Sequence, residues 1–508
     1  MSQTESNQTQ PQQKHSAGMV YLLCIGVSCS VIAGCLALQT GIIPAGVPGE
    51  WVWQKPRTKA SINEWLWAAF VVVSYLTIQR VLSRLVCLNK TRFLAVVLLF
   101  PAAALVQAGL QKAAPDSYGL AKWPLCTYFE GSSGYFTIAV NEVPSLKDFL
   151  KNYPTWIKSQ DCLHIGTHPP GLIVEARLWL DFWESRPDLS KLFLAKLPAE
   201  FRDALRNAAP GKNLPINQQA TLVSIAMTHW IMCAMAVWPL YYLVRQLEFD
   251  PETAFSVASI WPVLPSAIMF QPASDIAFAV LATSSIAFSV NSDPNQPAIC
   301  YLKSYCSGLI LALGMFLSLV FLPIGLIVAI LLLTDLNLKL VKRLAQILAT
   351  GAGFITAIAT WSFFTHSNPV VIWLANMQNH GRFYVEYPRS YIKWIMADAG
   401  EVAFGIGLPL FFMMIITIYI CINRRNEIHP RQFLPLGITL LILSFLAISG
   451  KSLSEVSRLW LPFYPMLLSG VAITVSKHKH RYQVSWILLW MMVQVIWLQQ
   501  IIQVVYAI

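Results

Sequence analysis

Apolar residues dominate this chain in long runs, centred near residues 19–40, 64–84, 93–112, 218–244, 253–270, 275–291, 305–320, 322–335, 344–364, 396–422, 433–449, 457–476 and 484–506. A hydrocarbon layer about 30 Å thick needs roughly 20 helical residues, so the pattern predicts an all-α polytopic transmembrane bundle of about 11–13 spans. The division around Pro323 is the least distinct. Two hydrophilic stretches interrupt the runs, at 113–216 and 365–392. The chain then divides into a polar tail (1–18), N-terminal spans (19–112), a loop domain carrying interfacial helices (113–216), a central bundle (217–364), a second loop (365–392) and C-terminal spans (393–508). The Gln-rich tail is expected to be disordered. It lacks the basic start and cleavage site of a secretory signal peptide, so the first apolar run is expected to persist as a helix.

Composition agrees with the pattern. Charged residues make up 12% of the chain and hydrophobic ones 56%, with a mean hydropathy of +0.54. The net charge of +11 would suit nucleic acid, but the basic residues sit in short loops between apolar runs, which makes them a topology signal. With the N-terminus in the cytoplasm, the cytoplasmic loops collect Arg80, Arg84, Lys90 and Arg92, then Lys339, Lys342 and Arg343, then Arg424, Arg425 and Arg431, then Lys477, Lys479 and Arg481. Lys55, Arg57 and Lys59 fall on the opposite side and dissent. Both long loops then face outward, together with the junctions at 270–275 and 450–460, so a single site opposite the cytoplasm is expected. Cys126 and Cys162 share one outward loop and could pair in an oxidising compartment.

Candidate chemistry gathers in those outward stretches. In "HIGTHPPGLIVEARLW", Pro169 and Pro170 stiffen the backbone ahead of a helix whose free N–H groups would suit a phosphate beside His164, Thr167 and His168. A rigid start to an interfacial helix explains the same residues equally well. Glu130, in "YFEGSSGYFTIA", could serve as a general base, although a solvated loop acid is the commoner fate. Ser274 or Asp275 could simply cap a helix, yet a carboxylate at the mouth of a bundle invites a functional reading. Glu455 and Arg458 lie three apart on one helical face, where Arg458 could grip a phosphate or snorkel to the interface. The 365–404 stretch adds His380, Arg382, Arg389 and Tyr391 among aromatics, suited to headgroups or to a sugar phosphate.

Together these pieces resemble the GT-C superfamily of polytopic glycosyltransferases, most closely its protein-mannosyltransferase and aminoarabinose-transferase branch. The matches are Glu130 followed by Tyr135 and Ala139, then His168-Pro169-Pro170, then Pro272 with Asp275, then Arg458 with Pro462 and Pro465. Their order agrees over residues 115–476. The acidic pair usual in that family is missing beside Glu130, and two spans beyond the usual one precede the loop.

The resemblance implies transfer of a sugar from a polyprenyl-phosphate donor to an acceptor hydroxyl on a lipid, glycan or protein at the outer face of a bacterial inner membrane. It implies Glu130, Asp275 and His168 as catalytic groups. Arg458, Arg382, Arg389, His164, Thr167, Tyr135, His380 and Tyr391 would bind donor phosphate or sugar. A divalent cation, Mg or Mn, is used by some relatives, though no ligand set is written plainly here. Two rival readings are a transporter or flippase for a lipid-linked sugar and a non-catalytic subunit of the same fold. The first calls for ionisable residues along a path through the bundle, whereas here polar residues gather at one face. The second draws on the missing acid.

Overall fold

The computed structural model describes residues 10–208, 214–290, 296–335, 338–423, 427–477 and 481–503. Among these the chain is an all-helical bundle, its one sheet being a short hairpin pairing Gly46–Val47 with Trp51–Val52. Among the described residues eight helices are long and apolar enough to cross a membrane, or nine if one bent pair counts as a span. The class is as expected, and fewer helices than 11–13 reach spanning length.

Proline and glycine explain the difference. The run at 253–270 is broken by Pro262 and Pro265 into Pro251–Ile260, a 3-10 turn and Pro265–Met269, all buried within the bundle. The runs at 275–291 and 322–335 become the short helices Asp275–Ser289 and Phe321–Thr334. The run at 457–476 splits at Pro462 and leaves Tyr464–Lys477. Tyr391–Ile406 and Leu408–Asn423 meet at a 103° bend, where Gly407 takes a φ of 96° that a side chain would resist.

The first helix runs Gln10–Thr40, so part of the stretch expected to be disordered, residues 10–18, continues the apolar helix toward the N-terminus; residues 1–9 lie outside the described set. Elsewhere helix starts follow local signals. Ser61 and Glu64 form a capping box for Ile62–Val86, and Asp250 caps a helix with Pro251 at its first position.

Aromatic polar groups tie the helices internally. The Tyr75 hydroxyl donates to the Ser259 carbonyl, and the indoles of Trp238 and Trp261 donate to the Val96 and Cys233 carbonyls. Each of these three groups is thereby satisfied inside an apolar interior.

The loops sort to the two ends of the bundle. Arg431 forks onto Asp335 at 2.7 and 2.8 Å and lies 3.5 Å from Glu248, joining three short loops at one end. Arg424, Arg425 and Lys479 lie outside the described residues. Pro430–Ser449 spans 20 residues, about 30 Å, between Arg431 and the 450–458 segment at the opposite end.

At that second end the two hydrophilic stretches fold together. Residues 113–208 form six short helices, and the second loop is largely the helix Pro369–Glu386. Gly171–Glu184 packs one face into the bundle. It buries Leu172, Ile173, Ala176, Leu180 and Trp183 against Tyr135–Asn141 and Ile216–Met235, and leaves Leu178 exposed.

Candidate functional site

The site is built around the loop before Gly171. Asn376 Nδ2 donates to the carbonyls of Gly166 and His168 at 2.8 and 2.9 Å, and Asn379 Nδ2 donates to those of Ile157 and Gly166 at 2.9 and 3.0 Å. The Tyr153 hydroxyl donates to the His168 carbonyl at 3.0 Å. A side chain at Gly166 would place its Cβ 1.8 Å from the Asp161 carbonyl oxygen, so only glycine fits this turn. Thr167 is buried and returns its hydroxyl to the Leu163 carbonyl; it shapes the loop and does not line the cavity.

This clamp presents two histidines. His168 Nδ1 lies 3.0 Å from the His164 carbonyl oxygen, which can only accept, so Nδ1 carries the proton and Nε2 is the bare nitrogen of the neutral ring. The Tyr135 ring packs edge-on against His168 at 5.9 Å. Burial lowers the His168 pKa despite the opposing pull of Asp275, and burial with the charge of Arg458 brings His164 down to about 3. Both rings are neutral near pH 7. Burial raises the Tyr135 hydroxyl well above its usual range, with Asp275 adding to the effect.

Asp275 stands in the first turn of Asp275–Ser289, and Ser274 occupies the cap position without a side-chain cap bond. Its Oδ2 lies 3.6 Å from Nε of Arg458, which stands on the four-residue helix Val456–Leu459 and also meets Glu455 at 3.0 Å. Tyr135, His164, His168, Asp275 and Arg458 line one cavity, together with Ser132, Ser133, Glu175 and His229.

Glu175 and His229 were not singled out from sequence. His229 Nδ1 lies 2.8 Å from the Pro272 carbonyl oxygen and Nε2 lies 3.1 Å from Glu175 Oε2. The carbonyl requires Nδ1–H, so one proton lies between Nε2 and the carboxyl group. Glu175 Oε1 is buried and has no hydrogen-bond partner in the protein. The signal available was His229 itself, an ionisable side chain inside the apolar run 218–244.

The other expected residues fall elsewhere. Glu130 is exposed and does not line the cavity, because its loop turns outward before Ser132 and Ser133 return to the wall. Arg382 is exposed and engaged with Glu386 at 3.0 Å and the Gln160 carbonyl at 3.3 Å. Arg389 stacks on Phe383 and Trp394, and Tyr391 is exposed and bonds the Ile448 carbonyl. His380 packs on Tyr384 and also stays outside the lining. Cys162 donates its thiol hydrogen to Glu386 Oε2 at 3.1 Å and forms no disulfide with Cys126.

The cavity volume is about 40 Å³, room for a few waters and too little for a sugar ring. One guanidinium, the neutral imidazoles of His164 and His168, the carboxylate of Asp275 and the proton-sharing pair of His229 and Glu175 face a common space. Among the described residues no three His, Cys, Asp or Glu side chains group closely enough to hold a metal ion. With Asp275 held by Arg458 and Glu175 by His229, the donor set does not fit a divalent cation.

Comparison with known proteins finds no matching family model and no matching curated protein. Among solved structures the chain is similar to the crystal structure of the Archaeoglobus fulgidus oligosaccharyltransferase in complex with Zn and sulfate, at 13% identity and a TM-score of 0.41. The match covers 80% of this chain and 53% of that one, so the chain spans about half the length of that structure.

Proposed function

We propose that this chain is a GT-C-type membrane glycosyltransferase. It moves a sugar from a polyprenyl-phosphate donor to an acceptor hydroxyl at the non-cytoplasmic face of a bacterial inner membrane, the acceptor being a lipid, glycan or protein. One observation carries the reading: Tyr135, His168, Asp275 and Arg458, each from a different motif, line a single cavity. A transporter would instead spread ionisable residues along a path through the bundle.

The transfer needs a cation for the departing phosphate and a base for the acceptor. Arg458 supplies the cation, and the N–H groups at the start of Gly171–Glu184 add a partial positive charge. Glu175 takes the base role that the resemblance gave to Glu130, since it lines the cavity with its Oε1 unpartnered, whereas Glu130 is exposed and outside the lining. The acceptor oxygen bonds to the anomeric carbon while the bond to the phosphate oxygen breaks. The hydroxyl proton passes to Glu175 Oε1, and the polyprenyl phosphate leaves with the bonding pair. Asp275 orients Arg458, and neutral His168 hydrogen-bonds the sugar or phosphate. Opening of the 129–134 loop beside the cavity admits the donor. The residues present supply the binding and proton transfer without a metal, so no step is routed through one.

Incubating the purified full chain with a panel of labelled polyprenyl-phosphate sugars tests this reading. Transfer from at least one donor, lost in Arg458→Ala together with donor binding, is expected. No donor binding anywhere in the panel, or binding that ignores Arg458, would overturn it.

A further inference from the structure

A second cavity lies behind the first, across the segment 455–458: Ser457 lines one and Arg458 the other. Its volume is about 440 Å³, within the range of roughly 300–1,000 Å³ common for small-molecule sites. The walls are almost entirely apolar, drawn from the end of the first helix, the 42–48 hairpin loop, Pro265–Met269, Tyr391–Ile406 and the end of the last helix.

Ser266, Ser457, Gln503 and the exposed Lys393 also line it, and Glu401 is the one acid in the lining. Glu401 is 8% exposed, lines the cavity, and accepts from the Trp53 indole through Oε1 at 3.2 Å. The Ser457 N–H also approaches this carboxyl group, while Oε2 makes no hydrogen bond of good geometry. One turn away, Asp398 is 2% exposed, accepts from the Ser454 N–H at 3.1 Å, and leaves Oδ2 equally unmet. Neither carboxyl group faces a basic side chain within ion-pair distance among the described residues. Two buried acids on one face of an apolar helix, each with one oxygen unmet, are costly, and at Glu401, which lines the cavity, the cost is relieved by a ligand that donates a hydrogen bond. Trp53, Phe270 and Phe404 surround the acid with aromatic surface, which suits an alkyl chain and also an ammonium.

We propose that this cavity is a second ligand site, one that seats an amphiphile with an apolar body and a single hydrogen-bond-donating head, an alcohol or an ammonium, on Glu401. The site is separate from the sugar-transfer cavity and stands whether or not that reading holds. An ionised carboxylate head brings acceptors only and would leave the open Glu401 oxygen unmet.

Photoaffinity labelling of the full chain in lipid nanodiscs tests it. The probes are a ten-carbon amine, the matching alcohol and the matching carboxylate, each with a mid-chain diazirine. Saturable labelling by the amine or the alcohol is expected on peptides covering 38–53 and 396–405, with the carboxylate at least tenfold weaker. Glu401→Leu should remove the labelling. Glu401→Gln should reduce amine labelling about tenfold if the head is an ammonium, and spare the alcohol if it is a hydroxyl. Gly400→Leu provides a check independent of the acid, since a Cβ at that position meets nothing within 4 Å and the side chain would fill the cavity. Labelling by the carboxylate equal to that by the amine and the alcohol would overturn the proposal, as would labelling unchanged in both Glu401→Leu and Gly400→Leu.

Discussion

Arg458 and Asp275, far apart in sequence, meet at 3.6 Å with side chains only 14% and 12% exposed. The same guanidinium holds Glu455 at 3.0 Å, so one cation faces two acids and organises the 455–458 turn. Removing it leaves both carboxylates uncompensated in a poorly solvated place. Arg458→Ala should therefore cost about 3 kcal/mol of stability, measured as a lowered midpoint of thermal unfolding in detergent. It should also abolish donor binding and lower kcat/KM by about 10²–10³. Arg458→Lys keeps the charge without the planar fork and should recover only part of each. Unchanged donor affinity in Arg458→Ala would separate this residue from the phosphate.

Glu175 and Glu130 give opposite expectations. Glu175→Gln removes the oxygen placed to take a proton, so turnover should fall by about 10²–10⁴ while donor binding persists. Glu130→Gln changes an exposed loop residue and should leave kcat within about twofold. Single-turnover rates with saturating donor distinguish the two, and a reversed pattern would return the base to Glu130. His229→Gln should resemble Glu175→Gln more weakly, because Glu175 would lose the group that positions it.

What was legible in the sequence follows from the range over which each signal acts. Apolar runs fix the all-helical class because a span is a local property of about 20 residues. Asp275 and Arg458 could be found because each interrupts apolar sequence a few residues from a proline, and His168 because it precedes the Pro169-Pro170 pair. The pairing of Glu175 with His229 was hidden, since it exists only once Gly171–Glu184 packs against Ile216–Met235. On its own helix Glu175 reads as one polar residue among Arg177, Asp181 and Glu184. Arg382 and Arg389 misled for the reverse reason: their basic, aromatic surroundings suit a ligand, and the fold uses them on Glu386, Phe383 and Trp394. Asp398 and Glu401 disappeared into an apolar run whose 103° break no composition reveals.

The clamp on the histidine loop makes Asn376 a positioning residue. Its side-chain amide meets two carbonyls, those of Gly166 and His168, and is fully buried. Asn376→Ala leaves both acceptors unmet and should destabilise the protein by about 1–3 kcal/mol. Because the His168 ring is aimed by this loop, kcat should fall more than KM rises. Asn376→Asp removes the donors at nearly constant shape and should reproduce the loss. If Asn376→Ala lowers the unfolding midpoint while kcat per folded molecule stays at the wild-type value, the residue serves only stability.

His164 makes stability depend on acidity in a definite direction. Burial, aided by Arg458 and His168, holds its pKa at about 3 against an ordinary 6.5. Between those values the unfolded chain binds a proton that the folded chain refuses, so acid favours unfolding. The stability this ring contributes is complete above about pH 6.5 and is lost progressively as the pH falls toward 3. One such group can change stability by at most about 1.4 kcal/mol per pH unit, and partial contact with solvent reduces that ceiling. His164→Gln keeps a polar side chain and removes the titration, so its unfolding midpoint should fall less steeply with acid than that of wild type. His168, shifted the same way, would still titrate in that variant, leaving a shallower slope rather than a flat line. Thermal unfolding in detergent at several pH values across this window measures the two slopes, and equal slopes would show that the His164 ring is not held neutral by its surroundings.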